Sequence, residues 1–201
     1  LLTSTINYNE AATAQTANAI KTLITTAITN YNDNTLNQFD SVFRYSKLLD
    51  IIDDSESSIL SNITTLKLRK TFTPSLNTSI NYTVDFSNAL YNPHTEHNKA
   101  AGGILSTTGF KITNDSNVYF FDDDGNGNIR RYYLIGSVRN YVDNTAGTIN
   151  YSTGALAFNA LTIASIENIR GSASTVVECT VTPSSNDVVP VRNQVIEIDT
   201  V

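Results

Sequence analysis

A chain of 201 residues with a formal net charge of −6 at pH 7 can bury a sizeable core, in one large domain or two small ones. With 13 Lys and Arg against 19 Asp and Glu, it lacks the basic stripes that a general nucleic-acid binder needs to neutralise phosphates. A single cysteine excludes an intrachain disulfide and a cysteine-based zinc site. No apolar run nears membrane-spanning length and no basic-plus-apolar leader is present, so a soluble chain is expected. The absence of methionine fits a fragment, a processed product or a segment of a longer chain.

The first element is an Ala/Thr-rich helix from Ala11 to Tyr31. Ile20, Leu23, Ile24, Ala27, Ile28 and Tyr31 fall on one stripe and leave Lys21, Thr25 and Asn30 wet. Its small residues, Ala11, Ala12, Ala14, Ala17 and Ala19, permit close approach of a second surface, which makes Ala14 and Ala17 the candidate interface residues. A short strand follows, then a short helix that Ser46 is placed to cap. There Leu48, Leu49, Ile51 and Ile52 wrap nearly all round, as for a helix buried between layers. The run Thr64–Phe72 alternates as a strand, with Lys67, Arg69 and Lys70 on its wet face, and Pro74 ends it.

Beyond Pro74 the period changes from 3.6 to two. Ile80, Tyr82, Val84 and Phe86 alternate with Asn81, Thr83, Asp85 and Ser87. Asn92–Gly103 reads as a long exposed loop. Strands are expected over Ile104–Ile112, Val118–Phe121, Ile129–Val138, Leu161–Ile169, Thr175–Val181 and Val189–Ile198, with a hairpin around Ser152-Thr-Gly154. Cys179 shares a strand face with Val177 and Val181 and is expected to be a buried, inert thiol. The expected fold class is α+β: an N-terminal helix packed on a small sheet over residues 1–73, then an antiparallel β-rich subdomain over 74–201.

Tyr45-Ser-Lys-Leu-Leu-Asp-Ile-Ile-Asp53, Gly147-Thr-Ile-Asn-Tyr-Ser-Thr-Gly-Ala-Leu156 and Phe120-Phe-Asp-Asp-Asp-Gly-Asn-Gly-Asn-Ile-Arg130 together carry a resemblance. The chain resembles the C-terminal part of the baseplate wedge subunit of T4-like contractile-tailed bacteriophages, within the wider baseplate J-like family. The resemblance implies a structural protein of the virion tail, assembled in the host bacterial cytoplasm. It also implies partners: copies of itself, as a dimer within a ring around the central hub, and other wedge proteins. Such subunits transmit the change of baseplate shape that triggers sheath contraction. No cofactor, small-molecule substrate, membrane or nucleic-acid partner follows from it, and no enzymatic activity.

The candidate sites for chemistry are few. Asp122, Asp124 and Asn126 stand at positions one, three and five of an EF-hand spacing, with Gly127 at six. Tyr133 occupies position twelve, where calcium needs a bidentate glutamate. Strand-like flanks and the Asp-Gly and Asn-Gly steps favour a solvent-facing hairpin turn beside Arg130 and Arg131, with a calcium site as the weaker alternative. His94-Thr-Glu-His97 has its histidines three apart, whereas the zinc-protease helix needs four. No nucleophile elbow, P-loop or dinucleotide fingerprint is present. A sugar-cleaving cleft would usually be lined with tryptophan, and there is none. The rival class is an extracellular β-rich adhesin or surface-layer module, which a calcium-bearing Asp122 loop would favour.

Overall fold

Lys67 ends one compact unit and Leu68 begins another: Leu1–Lys67 with Ser185–Val201 form the first, Leu68–Ser184 the second. The computed structural model describes residues 1–92, 103–190 and 195–198.

The first unit opens with β1 (Leu2–Tyr8), which pairs antiparallel with β2 (Ile59–Leu66) in a two-stranded sheet. Leu2, Ser4, Ile6 and Tyr8 are half-buried while Thr3, Thr5 and Asn7 are exposed, the alternation of a strand with one covered face. A single 3₁₀ turn over Glu10–Ala12 is capped by Asn9, whose side chain accepts from the Ala11 amide at 3.0 Å. The helix proper, α1 (Ala17–Tyr31), starts six residues after the expected Ala11. Thr13 takes the Gln15 amide and Thr16 the Ala19 amide, so hydroxyls divert the backbone before the helix begins.

The buried stripe of α1 is Ile20, Ile24 and Tyr31, with Ala27 and Ile28 half-covered. Leu23, expected on that stripe, lies on its flank and is 40% exposed. α2 (Tyr45–Asp53) buries Leu48 and Ile52 completely and leaves Leu49 and Ile51 half-covered. Ser46 does not cap it. Arg44 is the cap residue, and the Tyr45 amide is instead held by Asp187 Oδ1 at 2.7 Å. The segment after Ser184 closes the unit: Phe43 and Val188 exchange both backbone bonds at 2.9 and 3.0 Å, and Asn32 Oδ1 accepts from the Ile198 amide at 2.7 Å.

The second unit is all β, with β3 (Leu68–Phe72), β4 (Ser79–Asp85), β5 (Ser106–Thr107), β6 (Phe110–Ile112), β7 (Tyr119–Asp123), β8 (Asn128–Ile135), β9 (Val138–Asn150), β10 (Ala155–Ile166) and β11 (Val177–Val181). β6, β7, β8, β9 and β10 pair in order, and β10 pairs back to β6, closing a five-stranded antiparallel barrel with β4 laid along β10. Closure depends on β10. Irregularities after Phe158 and Ile163 let one strand pair with β9 over Ala155–Phe158, with β4 as far as Thr162, and with β6 from Ile163 to Ile166. Gly147 permits the close β9–β10 contact, since a Cβ there would lie 2.2 Å from the Ala157 carbonyl oxygen. A small sheet, β3-β11-β5, completes the unit.

Phe110, Phe121 and Phe158 fill the barrel with ring centroids 4.9 and 4.8 Å apart, and Phe72 joins at 5.5 Å. Val177, Cys179 and Val181 present one fully buried face of β11 to the same core.

The α+β expectation is corrected by this architecture. Strands and isolated bridges make up 44% of the described residues, which hold two α-helices, and the main body is a barrel, so a helix on a small sheet is not the principal fold. Two expected strands are also broken. Thr64–Phe72 divides at Lys67 between two sheets, and Ile104–Ile112 divides into β5 and β6, again in different sheets. Residues 189–190 and 195–198 form no strand, and the His94–His97 segment lies outside the described residues.

Candidate functional site

The turn joining β7 to β8 holds three consecutive carboxylates, and strand alternation sends them to different surroundings. Asp122, 1% exposed, accepts from Arg130 Nε at 2.9 Å, Arg139 Nη1 at 2.7 Å and the Tyr141 hydroxyl at 2.7 Å. The guanidinium of Arg130 lies 4.2 Å from the Tyr141 ring centroid and that of Arg139 lies 4.9 Å from Tyr132. Burial pushes the Asp122 carboxyl above its ordinary range, against the pull of Tyr141 and the two arginines.

Asp123 is fully buried on the opposite face. It accepts from the Leu105 amide at 2.7 Å and the Tyr151 hydroxyl at 2.6 Å. Asp124 stays in the turn, taking the Asn126 and Asn128 amides at 2.8 and 3.0 Å and the Asn128 side chain at 2.8 Å.

Asp122, Asp124 and Asn126 are therefore neighbours in sequence but do not converge. Asp122 belongs to an ion-pair cluster across β7, β8 and β9, Asp124 organises its own turn, and Asn126 is exposed at the tip. Among the described residues no three acidic, histidine or cysteine side chains gather as a metal site. The expected solvent-facing turn is confined to its tip. Asp122 and Asp123 are buried, Arg130 is drawn into the cluster, and Arg131 turns to the Tyr119 ring at 5.5 Å.

An open cleft of about 500 Å³ on the same unit is lined by Gly109, Val118, Phe120, Glu167, Arg170 and Glu178, among others. Its carboxylates are paired: Glu167 with Lys111 at 3.4 Å, Glu178 with Arg69 at 3.0 Å and Arg170 at 3.2 Å. Two neutralised carboxylates offer neither a poised acid nor a free base.

The other candidate surface lies on the first unit. Ala17 opens α1, Ala14 lies in the connection before it, and both are exposed. The unit also exposes Phe39 at 79%, Leu60 at 71% and Ile63 at 65%. Large apolar side chains left in water on one unit mark contact surface more readily than chemistry.

Comparison with known families bears on this unit. Residues 2–71 match the family model described as baseplate structural protein gp6, C-terminal domain III. That match supports a structural role in a phage tail baseplate. It begins with β1, takes in α1, α2 and β2, and ends within β3, so the barrel lies beyond it. It does not single out the baseplate J-like family. No curated protein matches the chain.

Two features of these surfaces escaped the sequence reading. β1 was missed because its apolar positions are only Leu2, Ile6 and Tyr8, and its partner strand lies more than fifty residues away. The Asp122 cluster had one legible signal: Asp122 and Arg130 are symmetric about the Gly125–Gly127 turn, which a hairpin places opposite one another.

Proposed function

We propose that this chain is part of a structural subunit of a phage tail baseplate wedge. In this reading it pairs with copies of itself and with other wedge proteins to close a ring around the hub. It takes part in the change of shape that triggers sheath contraction, and it carries no catalysis. The observation that supports the reading is the family match over residues 2–71, which covers nearly all of the contiguous part of the first unit. The exposed apolar residues of that unit, and a surface rich in Asn, Thr and Ser, suit broad polar contacts sealed by a few buried anchors.

The test is composition of purified tails. A wedge subunit copurifies with tails in fixed stoichiometry, and an Ala17→Arg variant, which adds bulk and charge to exposed α1, impairs tail assembly while the domain stays folded. Normal tails from Ala17→Arg remove that face from the interface. Normal tails from phage lacking this segment refute the reading.

A further inference from the structure

Among the described residues, one edge of the β1–β2 ribbon has no strand beside it. Leu1 and Lys67 exchange both backbone bonds at 2.9 Å, so in an antiparallel ladder the odd-numbered residues of β1 bond to β2. Leu2, Ser4 and Ile6 then turn their amides and carbonyls to the other edge, where no partner stands among the described residues. Two strands alone make a marginal sheet, and native edges of this kind are normally guarded by lysine, proline, a bulge or a covering segment. Neither β1, Leu-Thr-Ser-Thr-Ile-Asn-Tyr, nor β2, Ile-Leu-Ser-Asn-Ile-Thr-Thr-Leu, carries a charge or a proline. The one irregularity falls at Asn7/Tyr8, beyond the open stretch.

We propose that this edge pairs with the same edge of a second copy, antiparallel and centred on Ser4, joining two ribbons into one continuous four-stranded sheet. The register follows from which groups point outward. Ser4 exchanges both bonds with Ser4 of the second copy, and Leu2 does so with Ile6. On the covered face this sets Leu2 against Ile6, an apolar cross-strand pair, and on the exposed face Thr3 against Thr5. An uncharged strand is complementary to itself about a two-fold axis, with no like charges brought together, which is what an isologous contact requires. A shift by one residue would set bonded groups against outward-facing ones and lose the ladder. The inference rests on the self-association in the proposed function and assigns it a surface.

Sedimentation of the 201-residue chain over a range of concentrations tests it. The unaltered chain is expected to dimerise. Ser4→Pro, which removes an outward amide, should shift it to monomer with unchanged circular dichroism. Should Ser4→Pro misfold, the exposed pair Thr3→Lys/Thr5→Lys replaces it: apposed lysines should weaken the dimer at least tenfold, and Thr3→Glu/Thr5→Lys should restore it. Mixing Thr3→Cys chains with Thr5→Cys chains should give a disulfide that neither forms alone, since facing non-bonded positions sit about 4.5 Å apart. Cys179 does not compete, being wholly buried. A chain that stays monomeric at the highest concentration reached overturns the proposal, as does a dimer indifferent to all these changes. If that chain still enters tails, the baseplate reading survives and the edge belongs to another subunit's strand or to none.

Discussion

Tyr151, in the turn between β9 and β10, donates its hydroxyl to Asp123 Oδ2 at 2.6 Å, while the other oxygen of that carboxylate holds the Leu105 amide at 2.7 Å. A buried acid on β7 thus ties together the β9–β10 turn and the irregular segment leading into β5. Burial and the neighbouring carboxylate raise the Tyr151 phenol well above its ordinary value, so it stays protonated and donating. Asp123→Ala leaves the buried Leu105 amide and the half-buried Tyr151 hydroxyl without their acceptor and should cost about 2–4 kcal/mol; Tyr151→Phe removes one donor and should cost about 1–3 kcal/mol. Urea unfolding of the two variants and their double mutant measures the coupling.

Calcium should leave the melting midpoint unchanged at millimolar concentration. Asp122 spends its oxygens on Arg130, Arg139 and Tyr141, and Asp124 spends its own on turn amides and Asn128. A site filled a hundredfold above its Kd would add about 2.7 kcal/mol. A rise of several degrees, lost in Asp124→Ala, would show that the turn opens to the ion, and would favour the adhesin rival.

Truncating two leucines in neighbouring helices should separate core from flank. Leu48→Ala empties a fully buried position on α2 and should cost about 2–5 kcal/mol. Leu23→Ala on α1 removes a side chain already 40% exposed and should cost about 1 kcal/mol or less. Equal losses in chemical denaturation would mean that Leu23 is covered in solution.

Acid should weaken the fold below about pH 4. The Tyr119 hydroxyl, 2.6 Å away, holds the Asp115 carboxyl below its ordinary value, and the Ser58 hydroxyl does the same for Glu56. Asp124 is also lowered: its partial burial raises it, but Asn128, the turn amides and Arg130 together outweigh that. A depressed folded-state value stabilises above the unfolded value and is lost as pH falls through the folded one. Asp122, raised by burial, runs the other way: its contribution is complete below the unfolded value and fades as pH rises through the folded one. Thermal melts from pH 7 to 2.5 should therefore fall at the acid end, and Asp115→Asn should shrink the fall.

Cys179 should resist thiol reagents in the native chain at pH 8 and react fully once urea unfolds it. It is completely buried, and desolvation pushes its thiol up to about 12, so almost no thiolate forms. Rapid native labelling would show that β11 opens readily, and its rate would report that opening.

Local period made several elements legible. Ile80–Phe86 alternates cleanly and gives β4, the Ser152-Thr-Gly154 turn gives the β9–β10 hairpin with Ile149 facing Leu156, and Val177, Cys179 and Val181 give the buried face of β11. What sequence could not show was non-local. Residues 155–166 read as a hairpin arm and a later separate strand, yet they form the one strand whose irregularities close the barrel, because pairing overrides the weak signal of Asn159 and Ala160. Leu23 fits a helical stripe as well as Ile24 does, and only the placement of covering elements decides between them. At the turn, Asp-Asp-Asp-Gly suggested solvent, since nothing local announces that Arg139 and Tyr141, more than fifteen residues on, cover Asp122.

The division at Lys67 and Ser184 has a consequence for synthesis. A ribosome delivers the chain from its N-terminus, and compact units fold as they become complete. The second unit has all its strands once Ser184 is made. The first cannot finish: Phe43 waits for Val188, and Asn32 waits for Ile198. The barrel, though later in sequence than most of the first unit, is thus the earlier body to mature, and the unit that carries the family match is sealed after it, once Val188 and Ile198 have emerged.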